Sequence, residues 1–184
     1  DAITQAKNLY AKFDINKDGI VTRDEFAKCY KSFFNDTDKN LDGLLDLLDP
    51  NKTDQVDYIE WSKLLAPADL PRLTASCREI GPLALATPSG EEIELMEAMR
   101  QRLFALAEEA SVLGVRLLID AEHLKFQPAI DNLTLDLQQK YNATERTETP
   151  IIFNTYQCYL KDVPERLMLD VERSRRNSYH FATK

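Results

Sequence analysis

Residues 14 to 25 read DINKDGIVTRDE, a twelve-residue loop with an oxygen-bearing side chain at alternate positions, one glycine at its centre and a glutamate at its end. Asp14, Asn16 and Asp18 stand at positions 1, 3 and 5, Gly19 at 6 and Glu25 at 12, the spacing of an EF-hand calcium loop. The spacing has a physical cause. A hard cation is wrapped by oxygens converging from a tight turn that glycine permits, the Ile20 carbonyl fills position 7, and Glu25 binds through both oxygens. Thr22, at position 9, acts through its hydroxyl or a water, and apolar Val21 at position 8 is suited to a short β-bridge with a partner loop. Leu9, Phe13, Phe26, Tyr30 and Phe33 follow helical spacing on either side, so helices should flank the loop.

A second loop, DPNKTDQVDYIE, runs from Asp49 to Glu60, with Asp49, Asn51, Thr53, the Gln55 carbonyl, Asp57 and Glu60 as candidate ligands. Asp54 replaces the glycine, a residue that tolerates a left-handed backbone at some cost. Thr53 brings a neutral oxygen where a carboxylate is usual, so this loop should be the weaker site, or should brace the first without filling. A rival register, Asp38 to Asp49, leaves too little chain after Glu25 for two helices. Residues 36 to 48 therefore read as the incoming helix, burying Leu41, Leu44, Leu45 and Leu48. Residues 1–66 form an expected all-α EF-hand pair that binds Ca2+.

Of the 184 residues 29% are charged and 43% hydrophobic, as in soluble globular chains, and no apolar run approaches the roughly 20 residues of a membrane span. The net charge of -8 argues against a nucleic-acid partner, since counterion release needs a basic surface. Cys29, Cys77 and Cys158 form no CxxC pair, which points to neither zinc nor disulfides and to a reducing compartment. The first residues, DAITQAKNLY, resemble neither a signal nor a transit peptide. The triplets at Asn35, Asn132 and Asn142 match glycosylation acceptors only by a short motif, Arg173 to Arg176 suits a helix C-terminus, and His123 and His180 stand alone.

Residues 67–90 are rich in proline and small residues and read as a linker. A long helix follows, opened by Ser89 and Glu92 at capping-box spacing, with Met96, Met99, Leu103, Leu106, Ala110 and Leu113 as its apolar stripe before Gly114. VRLLI at 115–119 reads as a buried strand, residues 128–140 as a helix presenting Ile130, Leu133, Leu137 and Tyr141, and PIIFNTYQ as a second strand. Asp162, Pro164 and Glu165 open a third helix with Leu167, Met168 and Val171 inward, before a last run, YHFATK. This alternation predicts about three parallel strands under crossover helices in 91–184. Asp120, Asn154 and Lys184, about 30 residues apart, stand at the strand ends where β/α barrels carry catalytic groups; turn capping by Asp120 and local backbone pairing by Asn154 are the simpler alternatives.

RLLIDAEHLKFQPAIDNLTLDLQQKYN and PIIFNTYQCYLKD resemble the mitochondrial proline dehydrogenase family of animals, over roughly residues 70 to 184. Animal members are similar in carrying an EF-hand-like insertion before this region. The resemblance implies an incomplete segment of a distorted (β/α)8 barrel following the EF-hand pair. It also implies an FAD enzyme that oxidises L-proline to pyrroline-5-carboxylate and passes electrons to ubiquinone, peripherally associated with the matrix side of the inner mitochondrial membrane. By the same resemblance Asp120 is a catalytic residue in the active-site mouth, Asn154 a flavin contact, and Lys184 a cation near the flavin ring. The strand with the partner lysine, the flavin pyrophosphate site and the arginine pair that clamps the proline carboxylate have no counterpart here. The polypeptide alone is therefore expected to be inactive, its open sheet prone to aggregate. The alternative function is a non-catalytic calcium-binding protein.

Overall fold

Helices flank both acidic loops in the computed structural model, which describes residues 2–65 and 69–184. Two units divide at residue 93: Asp1–Ile93 and Glu94–Lys184. In the first, α1 (Ala2–Tyr10), α2 (Arg23–Phe33), α3 (Asp38–Leu48) and α4 (Tyr58–Ser62) are followed by a 3-10 turn over Lys63–Leu65. The start of α2 is fixed by a reciprocal cap: Thr22 accepts from the Glu25 amide while Glu25 accepts from the Thr22 amide. Thr37 and Asp57 cap α3 and α4 by accepting from the Asn40 and Glu60 amides. Because α3 begins at Asp38 and contains Gly43, the rival loop register is helical.

These helices bury a continuous aromatic core. Phe13, Phe26 and Trp61 are fully buried, with ring centroids 4.6 Å (Phe13 to Phe26) and 5.4 Å (Phe13 to Trp61) apart. Tyr30 stacks on Phe34 at 4.4 Å, and Leu41, Leu45 and Leu48 close the floor from α3. Such rings stabilise through apolar area first and ring geometry second.

The expected linker over 67–90 is corrected where it is described; residues 66–68 lie outside the described residues. Its stretch carries α5 (Leu70–Ala75) and α6 (Pro82–Leu85), and Leu70 and Leu83 are buried in the same core as Phe13 and Trp61. The Arg78 amide donates to the Phe33 carbonyl at 2.8 Å and the Asn35 amide to the Ser76 carbonyl at 2.6 Å, fastening the segment to α2. Both helices are only one or two turns long and have proline in their first turn, so they show no sustained period.

Helix α7 (Gly90–Leu113) opens as expected: Glu92 accepts from the Ser89 amide at 2.8 Å, and Ser89 Oγ from the Glu92 amide at 3.3 Å. It ends at Gly114, whose φ of +65° turns the chain so that the Val115 amide reaches back to the Ala110 carbonyl at 2.9 Å. That bond delays the next strand, which covers Leu117–Leu118 (β1) rather than 115–119. The expected stripe on α7 is only partly inward. Leu103, Phe104 and Ala107 meet Leu137 and Tyr141, whereas Leu106 and Leu113 are 60% and 64% exposed.

Helix α8 (Gln127–Tyr141) crosses over to β2 (Ile152–Phe153), which pairs parallel to β1 with Leu117 opposite Ile152. Next comes α9 (Val163–Arg176). The third expected strand is reduced to a parallel bridge between Asn154 and Thr183, flanked by bonds from the Asn154 amide to Ala182 and from the Lys184 amide to Asn154. The order is β1, β2, then 182–184. On α9 the expected inward face is also corrected: Met168 and Val171 are exposed, and Val163, Asp170 and Ser174 are buried. A half-polar buried face carries little hydrophobic signal.

The starts of β2 and its neighbour are set by one side chain. Asn142, fully buried after α8, accepts from the Ile151 and Ile152 amides, each at 2.9 Å, and donates to the carbonyls of Ile152 (2.8 Å) and His180 (3.1 Å). All its hydrogen-bonding capacity is used, so this triplet offers no accessible glycosylation acceptor.

Candidate functional site

In the second unit the residues at the carboxyl ends of the strands split into an exposed pair and a buried support. Lys184 Nζ lies 2.7 Å from Asp120 Oδ1, joining across β2 the two segments that flank it, and both side chains are more than half exposed. Asn154, expected as a flavin contact, is fully buried; its amide donates to Asp131 at 3.0 Å and its oxygen accepts from the Thr155 amide at 2.9 Å. That side chain is spent inside the protein and does not fit a cofactor contact, whereas Asp120 and Lys184 fit polar contacts to a flavin or substrate.

Asp131 on α8 organises the support. It accepts from Gln127 Nε2 at 2.8 Å and from Asn154, and pairs with Arg166 at 3.5 Å. Gln127 also accepts from the Glu122 amide at 2.9 Å, and Thr155 Oγ1 donates to the Ile119 carbonyl at 2.8 Å, so the turn carrying Asp120 is held on both sides. Beneath it Tyr156 donates to Asp170 at 2.7 Å, and burial pushes the Asp170 carboxyl above its ordinary range. Gln127, Asp131 and Arg166 escape a sequence reading because nothing in their spacing marks which strand they face.

In the first unit the two loops pair antiparallel at Thr22 and Gln55, with the Val56 amide donating to the Val21 carbonyl at 2.8 Å. The first loop bends through Lys17 (φ 61°) and Gly19 (φ 87°). Asp14 accepts from the amides of Asp18 (3.2 Å) and Gly19 (2.9 Å), Asn16 Oδ1 from the Asp18 amide (3.0 Å), and Asp18 from the Ile20 amide (2.8 Å). Glu25 spans the loop, accepting from Thr22 and, at 3.3 Å, from the Asn16 amide. The Thr22 amide and hydroxyl hold its carboxyl below the usual range. Among the described residues no basic side chain pairs with Asp14, Asp18 or Glu25. The oxygen types fit a hard divalent cation, although among the described residues no group of three or more His, Cys, Asp or Glu side chains is gathered to hold a metal.

The second loop repeats the amide pattern of the first and adds a hydroxyl and two cations. Asp49, only 3% exposed, accepts from the Thr53 amide (2.8 Å), the Thr53 hydroxyl (2.9 Å) and the Asp54 amide (3.0 Å). Arg23 Nη1 stands 3.5 Å from Asp49 and its Nη2 2.8 Å from Asp46. Burial works to raise the Asp49 carboxyl, but these donors together hold it low. Glu60 pairs with Lys63 at 2.6 Å, Asp57 caps α4, Asp54 adopts φ 60°, and Asn51 and Gln55 are exposed. The donor set expected at Asp49, Thr53 and Glu60 is thus committed to the Thr53 hydroxyl and to the chain's own cations and does not fit calcium in this arrangement. Arg23 and Lys63 were not among the sequence candidates; only the i, i+3 spacing of Glu60 and Lys63 could have signalled one of them.

Charged side chains meeting at the carboxyl ends of parallel strands joined by a crossover helix are the arrangement from which β/α enzymes build their sites. A family model described as proline dehydrogenase matches residues 3–184, and the chain belongs to that family. The match takes in the acidic loops as well as residues 70 to 184, as expected of a member that carries the insertion. Human mitochondrial proline dehydrogenase 1 is 42% identical over 134 residues, covering 70% of this chain and 22% of the relative. The Caenorhabditis elegans protein of that name is 30% identical over 100% of the chain and 30% of its own length. A rat hydroxyproline dehydrogenase is 36% identical over 62% of the chain and 25% of its own length. The chain therefore spans between about a fifth and a third of these curated relatives. No solved structure matches it. Among the described residues no helix is long and apolar enough to cross a membrane.

Proposed function

We propose that this chain is part of an FAD-dependent proline dehydrogenase that oxidises L-proline to pyrroline-5-carboxylate, with a calcium site in its first loop. The observation that carries the catalytic reading is the 2.7 Å Asp120 to Lys184 pair at the strand ends of a chain matched to this family. FAD, when bound, supplies the hydride acceptor. Asp120 and Lys184 would orient polar groups at the strand mouth, and the Lys184 ammonium would favour negative charge developing there. Asp131, Gln127 and Thr155 keep Asp120 in place. Ubiquinone as electron acceptor and a location at the matrix side of the inner mitochondrial membrane complete the proposal, supported by relatives named as mitochondrial.

The test is proline-dependent dye reduction by the native-length holoenzyme, with hydroxyproline as comparison substrate. Asp120→Ala is expected to lower turnover by at least about 100-fold while flavin absorbance is retained. No reduction with proline, or full turnover in that variant, rejects the reading.

For the first loop, Asp14, Asn16, Asp18, the Ile20 carbonyl, Thr22 and Glu25 are the proposed ligands, and binding requires the carboxylates to draw together. The same geometry supports a second reading, a calcium module without catalysis. Calcium titration of the protein and of Glu25→Gln tests the module, while the dye assay separates the two readings.

A further inference from the structure

We propose that the second loop takes no calcium because the chain's own cations hold the carboxylates that an ion would need, with Arg23 acting as a built-in plug. The first loop's exit supplies the plug: Arg23 follows Thr22 at the bridge between the loops and opens α2, two residues before Glu25. Its guanidinium joins Asp46 on α3 to Asp49 at loop position 1, and its amide donates to Asp54 Oδ1 at 3.4 Å. Lys63 holds the other end of the loop through Glu60 at position 12. Position 5 is also spent, since the Thr53 hydroxyl points its hydrogen at Asp49 instead of a lone pair at an ion.

Charge explains why this arrangement persists. Asp49 is nearly fully buried, and a carboxylate taken out of water needs a compensating cation and donors. Arg23 and three hydrogen bonds supply them within the chain. An incoming divalent ion would have to displace the guanidinium and rotate Thr53, and it would then find Asp54 in place of the pliant glycine. The two loops are consequently unequal: among the described residues no cation pairs with the carboxylates of the first, and two pair with those of the second. A basic residue at the start of a helix is disfavoured by the helix dipole, so its placement at the head of α2 is accounted for by the carboxylates it meets.

The inference concerns the second loop and does not depend on calcium in the first. Calcium titration calorimetry on the protein and on Arg23→Gln/Lys63→Gln reads it as a difference in stoichiometry. The double variant is expected to bind one more calcium than the parent. Two calcium ions in the parent, or no gain in a double variant with unchanged circular dichroism, overturns the plug. Should the double variant fail to fold, Asp49→Asn decides: unchanged stoichiometry supports the plug, and loss of one ion refutes it. A parent that binds none while the double variant binds one supports the plug and rejects the first-loop proposal, so the two failures stay distinct.

Discussion

The two units solve burial in opposite ways. The first is closed by rings and aliphatic side chains, and of its described residues only Asp49 is both polar and buried. In the second, Gln127, Thr134, Gln138, Asn142, Asn154, Asp170 and Ser174 are buried around a hydrophobic cluster of Ala107, Leu137, Tyr141 and Ile152. One interior is held by area, which is undirected; the other by hydrogen bonds, which fix register. The second also leaves Leu106, Val112, Leu113, Leu118, Phe126 and Met168 exposed, consistent with a β/α segment whose sheet and helices have open faces.

Mutations should separate the two kinds of interior. Phe26→Ala removes a fully buried ring between Phe13 and Trp61 and should cost roughly 3–5 kcal/mol, read by denaturant unfolding. Trp61 is the sole tryptophan, so its fluorescence reports the first unit alone. A loss under about 1 kcal/mol would mean that this core is not area-driven.

Asn142→Leu keeps the volume yet orphans backbone groups of Ile151, Ile152 and His180, and should cost roughly 2–3 kcal/mol. Its measure is the loss of slow amide exchange at Ile152 and Asn154, and an unchanged exchange pattern would contradict a register set by hydrogen bonds.

Alkaline pH should act on the first unit through Tyr30. Burial, followed by the nearby Asp36 charge, pushes its phenol from 10.0 up to about 12. The folded value lies above the unfolded one, so the contribution is complete below pH 10 and is lost as pH rises from 10 through 12. The phenolate absorbance lost in Tyr30→Phe is expected to appear in the parent only together with loss of the folded Trp61 fluorescence, and its appearance near pH 10 in the folded protein would refute this. The smallest effect is expected from Thr37→Ala, which removes the α3 cap at a cost of about 1 kcal/mol by thermal melting.

What could be read from sequence follows the same division. Both loops, their flanking helices, the Ser89 cap and the alternation from β1 to α9 are carried by local pattern, and all of those elements form. The buried sides of α7 and α9 depart from the hydrophobic period, because Asp170 and Ser174 go inside while Met168 and Leu106 stay outside. Asp120 and Lys184 could be placed at strand ends by spacing, but Asn154 shares that spacing and turns inward to Asp131. Arg23 meets Asp49 across 26 residues, a contact that exists only once the loops are zipped together. Patterns of period 2 or 3.6 register what a residue does beside its neighbours in sequence, not whom it meets across a sheet.

The hook made by Asn142 also gives the molecule a sense of timing. Its amide and that of Gln138 grasp carbonyls at Ile152, His180 and Ala182, so a helix end, a central strand and a distant segment must arrive together before any of the three is fully satisfied. Residues 180–182 are therefore expected to open with α8 and β2 as one cooperative block instead of fraying on their own.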